Sequence, residues 1–182
     1  TQTRWQLDPN QPYAVVDIET TGGRAVNDRI TEIGIIKMVG DQQIDSWQSL
    51  IDPQRHIPRS ITQLTGIDNQ MVADAPLFAE LADTLESMFE GCIFVAHNVN
   101  FDYGFIKAEF ERLGRPFRMP KMCTVREMRK AVPGLPSYSL ANLTAHFGID
   151  MSQHHRALSD AQAAAELLMI INEHRRKQPV EN

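Results

Sequence analysis

Apolar positions follow two regimes along the chain. Between Tyr13 and Ile51 they come in short aromatic and β-branched runs. From Pro76 onward, short runs alternate with stretches of helical period. Tyr13 to Asp17 has the composition of a buried strand, with Pro12 before it and Gly22 after it. Ile30 to Val39 reads as a second strand and Gln43 to Ile51 as a third. Gly40-Asp41 forms the turn between them, so the first three strands are expected to make an antiparallel meander. Arg55 to Thr65 reads as a loop with a short helix. Ala75-Pro76 opens a longer helix, with proline in its first turn. Its stripe of Leu77, Phe78, Leu81, Leu85, Met88 and Phe89 recurs at helical spacing, and Gly91 is a suitable stop.

Beyond Gly91 the pattern turns to strand–helix alternation. Ile93 to Ala96 predicts a short buried strand. Phe101 to Leu113 predicts a helix with Phe101, Phe105, Ile106, Phe110 and Leu113 on one face. Met119 to Thr124 is a weak strand signal. Thr124 to Val132 and Ser139 to Phe147 read as helices, the second ended by Gly148. Ser159 to Glu173 reads as the last helix, with Ser159 and Gln162 spaced as a capping box. A meander followed by βα units predicts an α/β fold, a mixed sheet flanked by helices. There is no repeat, low-complexity tract or linker. One domain over residues 1–182 is expected, with a core of about 12–174 between a polar lead-in and a charged tail.

Composition narrows the function classes. With 42% hydrophobic and 23% charged residues, the chain is an ordinary globular one. The net charge of −5 argues against holding long nucleic acid by bulk electrostatics. It leaves room for a narrow, cation-lined site that grips one strand end. No apolar run approaches the roughly 20 residues of a membrane span, and no basic-then-apolar leader opens the sequence. Cys92 and Cys123 lack metal-type spacing and are expected as free thiols in a reducing cytoplasm.

The chemistry starts where the first strand ends. Residues two apart on a strand share a face, so Asp17 and Glu19 stand side by side. Like charges this close repel and resist desolvation. A shared proton, a cationic side chain or a divalent metal relieves them. No Lys or Arg lies in the strand, and a hard cation such as Mg²⁺ or Mn²⁺ suits paired carboxylates. Solvated acids at an exposed strand end are the bland alternative. A third acid, Asp102, closes the segment Ala96-His-Asn-Val-Asn-Phe-Asp102. A fourth, Asp160, follows His154-His155-Arg156. Both fall in the first turn of a predicted helix, where a carboxylate can serve as a cap. Ligand crevices in parallel βα arrangements lie at the C-terminal ends of strands, which would put Asp102 on the same edge as Asp17 and Glu19.

These segments resemble the DEDDh 3′–5′ exonucleases, which include proofreading subunits of bacterial replicative DNA polymerases, ribonuclease T and oligoribonuclease. Asp17-Ile-Glu19-Thr-Thr-Gly22, His97-Asn-Val-Asn-Phe-Asp102 and His155-Arg-Ala-Leu-Ser-Asp160 look like the family's three motifs, in order. Ile30-Thr-Glu-Ile-Gly34, Leu64-Thr-Gly-Ile67 and Ser137-Tyr-Ser-Leu140 are secondary matches. The sister group carries a tyrosine where this chain has Arg156, so the histidine version fits. The likeness spans roughly residues 12–172 and implies a ribonuclease-H-like, five-stranded mixed sheet.

By this resemblance, two divalent cations, Mg²⁺ or Mn²⁺, assist phosphodiester hydrolysis. Asp17 would bridge both, Glu19 and Asp160 would complete one site, and Asp102 would serve the other. His155 would be the general base that takes a proton from the attacking water. His154 is its neighbour and the residue most easily mistaken for it. Thr20, Gly22, Leu64, Thr65 and Asn98 would contact the terminal nucleotide. Core packing is the expected role of Phe101 and Phe105. The basic groups Arg55/Arg59, Arg126/Arg129/Lys130 and Arg175-Arg176-Lys177 are open to two roles, phosphate contact or solvated faces. The implied activity is removal of nucleoside monophosphates from 3′ ends of single-stranded or frayed nucleic acid, DNA before RNA. An alternative of another class is a module that docks a DNA polymerase or repair protein.

Overall fold

The computed structural model describes residues 8–151 and 156–178. Strands β1 (Pro12–Thr20), β2 (Ile30–Val39) and β3 (Gln42–Leu50) form the antiparallel meander. Strand β4 (Ile93–Ala96) runs parallel to β1, and β5 (Lys121–Cys123) runs parallel to β4. The sheet order is β3-β2-β1-β4-β5. Among the described residues seven helices accompany them: α1 (Arg59–Thr65), α2 (Asn69–Val72), α3 (Phe78–Phe89), α4 (Val99–Arg112), α5 (Thr124–Ala131), α6 (Leu140–Phe147) and α7 (Ala157–Arg176). This is the mixed α/β sheet flanked by helices expected from the alternation of apolar runs, with the five strands that the family resemblance implies.

The alternation along β1 divides the core. Ala14, Val16 and Ile18 point to the face covered by α3 and α4, where they meet Phe94, Leu85, Phe105 and Phe110. Tyr13 and Val15 point to the opposite face and pack with Ile36, Met38 and Val95 under α7. That helix presents Ala161, Ala164 and Ala165 to the sheet. Small side chains there bring the helix backbone close, and Gly34 shows how close. It lies opposite Asp17 in the β1–β2 ladder. A Cβ added to it would fall 2.5 Å from the Leu158 nitrogen and 2.6 Å from the Ala157 carbonyl carbon.

Helix boundaries depart from the sequence expectations in identifiable ways. Pro76 lies just before the N-cap Leu77 of α3 rather than inside its first turn. Helix α2 has only four residues, too few to show a period, and is started by Asp68, whose Oδ1 accepts from the Met71 amide at 2.9 Å. Helix α7 begins at Ala157, two residues before Ser159, and its cap residue Arg156 makes no side-chain capping bond. The Ser159/Gln162 capping box is therefore not the start signal. Ser159 sits within the first turn, and the cap comes from another strand, as described below.

Gly34→Ala should destabilise the protein by about 1–3 kcal/mol, the usual cost of forcing volume into a packed contact. The neighbouring atoms are backbone and cannot rotate away. Chemical denaturation checks the loss, and an unchanged midpoint would mean that β2 and α7 do not touch as described.

Candidate active site

Strand β1 keeps its partner β2 out to Thr20, but its pairing with β4 stops at Val15. Past Val15 one side of β1 therefore has no strand to bond. A carboxylate fills the gap. Asp102, in the first turn of α4 and 4% exposed, accepts the Ile18 amide on Oδ2 at 3.2 Å. Asp102 thus crosses from the α3–α4 layer to the backbone between Asp17 and Glu19. From the other layer comes Asp160, in the first turn of α7 and 7% exposed. One carboxylate oxygen from each of Asp17, Glu19 and Asp160 lies within 4.8 Å of the other two.

Burial is the main reason Asp17, Glu19 and Asp102 hold their protons tightly. It pushes Asp17 well above the usual carboxylate range, and the charges of Asp102, Asp160 and Glu19 push it further. Glu19 rises from 4.5 to about 8, again through burial first, then through Asp160, Glu32 and Asp102, with Arg156 opposing. Asp102 is raised by burial and partly held down by the Ile18 amide. Asp17 Oδ2 is buried with no hydrogen-bond partner among the described residues. An orphaned carboxylate oxygen beside two further carboxylates fits a hard divalent cation, which takes oxygen ligands and offsets the repulsion.

Comparison with known proteins places this arrangement. The family described as RNase_T, Exonuclease, matches residues 14–168. The chain belongs to this exonuclease family. A DNA polymerase III PolC-type protein of Caldanaerobacter subterraneus subsp. tengcongensis is 39% identical over 157 residues, covering 86% of this chain and 11% of that protein. A 3′-5′ exonuclease DinG of Staphylococcus aureus (strain MRSA252) is 39% identical over 170 residues, covering 93% of this chain and 19% of that protein. The chain thus spans under a fifth of the length of these relatives. Among solved structures, exonuclease X in complex with 5′ overhanging duplex DNA superposes with a TM-score of 0.72 at 26% identity, covering 88% of this chain and 91% of that one. E. coli exonuclease I in complex with a dA16 oligonucleotide shares the fold, with a TM-score of 0.80 at 20% identity over 92% of this chain and 42% of that one.

The site has one feature that the sequence pattern does not single out. Glu32, on β2 opposite Glu19, is 2% exposed. Its Oε2 accepts from Arg156 Nη2 at 2.6 Å, and its Oε1 accepts from the Ala157 amide at 2.9 Å. Arg156 Nε adds two longer contacts at 3.2 Å. One buried carboxylate thereby caps α7, neutralises Arg156 and fixes the turn that carries Asp160. The signal is in the sequence: Glu32 is the one charged residue in Ile30-Thr-Glu-Ile-Gly-Ile-Ile, a segment that matches the family only secondarily.

The remaining motif residues of the exonuclease divide by exposure. His97 is a clamp: Nε2 lies 2.7 Å from the Tyr138 carbonyl and Nδ1 lies 2.7 Å from Thr124 Oγ1. A carbonyl only accepts, so Nε2 carries the proton, and burial favours this neutral ring by lowering its pKa. Asn98 is exposed with a left-handed backbone, φ 70°, a conformation asparagine tolerates. Thr20 is buried and donates to the Gly22 carbonyl at 2.6 Å, while Asp28 packs where a Gly22 side chain would go. Leu64 is 58% exposed. Thr65 is buried, and its hydroxyl donates to the Ile61 carbonyl and accepts the Ile67 amide, so it holds the turn after α1. Phe105 is in the core as expected, but Phe101 is 37% exposed and leans on Phe105 with ring centroids 4.9 Å apart. The assigned base, His155, and its neighbour His154 lie outside the described residues.

Two outcomes follow from this geometry. Glu32→Ala would strand the Ala157 amide and the Arg156 guanidinium, and should cost about 1–3 kcal/mol of stability, read by denaturation, together with a loss of activity. The second concerns pH. An acid whose folded pKa exceeds its unfolded value binds its proton more tightly when folded, so its share of stability is full below the unfolded value and declines as pH rises. For Glu19 that decline runs from 4.5 to about 8. Thermal melts in chelator should show the melting temperature falling across this window. Saturating Mn²⁺ should raise it most at the alkaline end, by an amount corresponding to about 2.7 kcal/mol at a hundredfold excess over Kd. A chelated protein whose stability climbs through the same window would contradict the burial of these acids.

Proposed function

We propose that this chain is a divalent-cation-dependent 3′–5′ exonuclease acting on single-stranded or frayed DNA ends and releasing nucleoside monophosphates. The observation that carries the proposal is the meeting of Asp17, Glu19 and Asp160 within 4.8 Å, with Asp102 on the adjoining Ile18 amide. Asp17, Glu19 and Asp160 would hold one cation and Asp17 with Asp102 a second, Mg²⁺ or Mn²⁺ in each case. When bound, such cations lower the cost of generating the nucleophile and of charge on the leaving oxygen. The chain's own part is to present four oxygens on rigid elements, to exclude bulk water through two packed layers, and to supply a base. His155, five residues before Asp160, takes the proton from the attacking water as a neutral imidazole.

DNA is the substrate favoured by the relatives, since the matching proteins include a DNA polymerase and the superposing exonuclease X holds DNA. Thr20, Gly22, Leu64 and Asn98 are proposed to meet the terminal nucleotide, Thr20 and Gly22 through backbone and Leu64 through its exposed side chain. Thr65 shapes that pocket from within. The polymerase relative also supports a polymerase or repair protein as partner. Among the described residues no helix is long and apolar enough to cross a membrane.

The test is product analysis on end-labelled DNA and RNA strands of matched sequence with Mg²⁺, Mn²⁺ or chelator. Stepwise release of monophosphates from the 3′ end, dependent on metal and faster on DNA, is expected. Preference for RNA would move the substrate assignment, and absence of metal-dependent release would sink the proposal. Asp17→Ala and Asp160→Ala should abolish cleavage, and Asp102→Asn should leave a trace. His155→Ala should slow it by roughly 10²–10⁴-fold, with the wild-type rate rising through the histidine range near ~6.5. His154→Ala should stay near wild type; the reverse pattern would displace the base by one residue.

A further inference from the structure

The exonuclease is acidic overall, and most of its basic groups are already answered. Arg55 pairs with Asp28 at 3.2 Å. Lys130 and Arg175 both pair with Glu127 at 3.6 Å. Arg176 pairs with Asp41 at 2.6 Å and with Glu173 at 2.8 Å. The tail and, of the α5 cluster, Lys130 are therefore internally neutralised. Lys121, Arg126 and Arg129 differ. Among the described residues none of the three has a carboxylate within ion-pair distance, and all three line one groove of about 760 Å³. Among the described residues no acid lines that groove.

The walls of the groove are fixed before any ligand arrives. Lys121 donates to Asn100 Oδ1 at 3.2 Å and stands 4.6 Å above the Tyr103 ring. The Arg129 guanidinium sits 5.6 Å from the Tyr138 ring centre. Tyr138 is itself pinned, its hydroxyl donating to the Val132 carbonyl at 2.6 Å and its own carbonyl holding His97. Cations on stiff supports lose little freedom when they bind an anion.

Position gives the groove its meaning. It opens at His97 and Asn98, just after β4, and at the C-terminal end of β5. β1, whose C-terminal end carries Asp17 and Glu19, is parallel to β4, and β4 is parallel to β5. At ~4.8 Å per strand, the groove lies on the same edge of the sheet, about 10 Å to the side of the acids. Asn98, proposed above to meet the terminal nucleotide, is part of the groove's lining.

We propose that this groove is the track for the sugar–phosphate backbone of the substrate strand on the 5′ side of the scissile bond, with Lys121, Arg126 and Arg129 each meeting a phosphate. The proposal rests on the acid cluster being the cleavage site. The chain then prefers strands of several nucleotides over mononucleotide esters, and it does so without reading bases, because phosphate contacts carry no sequence information.

The test compares two substrates on the full chain: a ten-nucleotide DNA strand, and the p-nitrophenyl ester of thymidine 5′-monophosphate, which has no phosphate upstream of the bond cut. Lys121→Gln, Arg126→Gln, Arg129→Gln and the triple variant are measured across a salt series, with thermal melts to show folding and Lys177→Gln as a control for net charge. In the triple variant the KM for the strand should rise roughly 10- to 100-fold at moderate salt. The slope of log kcat/KM against log salt should flatten by about 0.7 for each phosphate contact removed. The ratio of strand to ester kcat/KM should fall by the same factor as the KM rises. An unchanged ratio and slope in the folded triple variant would overturn the groove while leaving the cleavage site intact. A wild-type chain inactive on both substrates would remove the cleavage site itself, and the groove with it.

Discussion

Four carboxylates meeting at the end of a buried strand cost free energy, because each is taken out of water and each repels the others. Burial is the largest cause of the upward shifts at Asp17, Glu19 and Asp102, and mutual repulsion adds to it at each. Nothing in the sheet requires that cost. Val or Ile at Asp17 would extend the α7-facing core past Val15. The rest of the scaffold must offset that cost, and a bound cation would turn the repulsion into attraction. The same chemistry that makes the bare cluster costly would make an occupied one tight.

Rigidity is the second requirement, and it comes from unlike sources. Asp17 and Glu19 are fixed by strand pairing. Asp102 is fixed by the Ile18 amide, which β4 leaves free by ending early. Asp160 is fixed by a helix start that depends on Glu32 and Arg156, and by the backbone contact at Gly34. Each acid is thus held by its own local device, and all the devices are tied to the two central strands.

The strand periods, the glycine stops and the order of the acids were legible from residues 12–172, because each is a local pattern with a local cause. Strand–helix alternation located the βα units, and spacing located Asp102 and Asp160 at helix starts. What stayed hidden depends on pairs distant in the chain. Ser159 looked like a cap because the true cap, Glu32, is supplied across the fold. Phe101 and Phe105 share a helical stripe, yet only one is covered, since coverage depends on what packs opposite. The charges at Arg126 and Lys130 read alike in sequence and part company only when Glu127 turns to one of them.

Because Asp17 belongs to the first strand and Asp160 to the last helix, the cluster draws on opposite ends of the described chain. The third oxygen arrives only with α7. A chain still emerging from the ribosome, or one whose last helix has peeled away, lacks Asp160 at the cluster. Such a chain holds only two of the three clustered acids. In this architecture the cluster is closed by the docking of α7 on the sheet and opened by its departure.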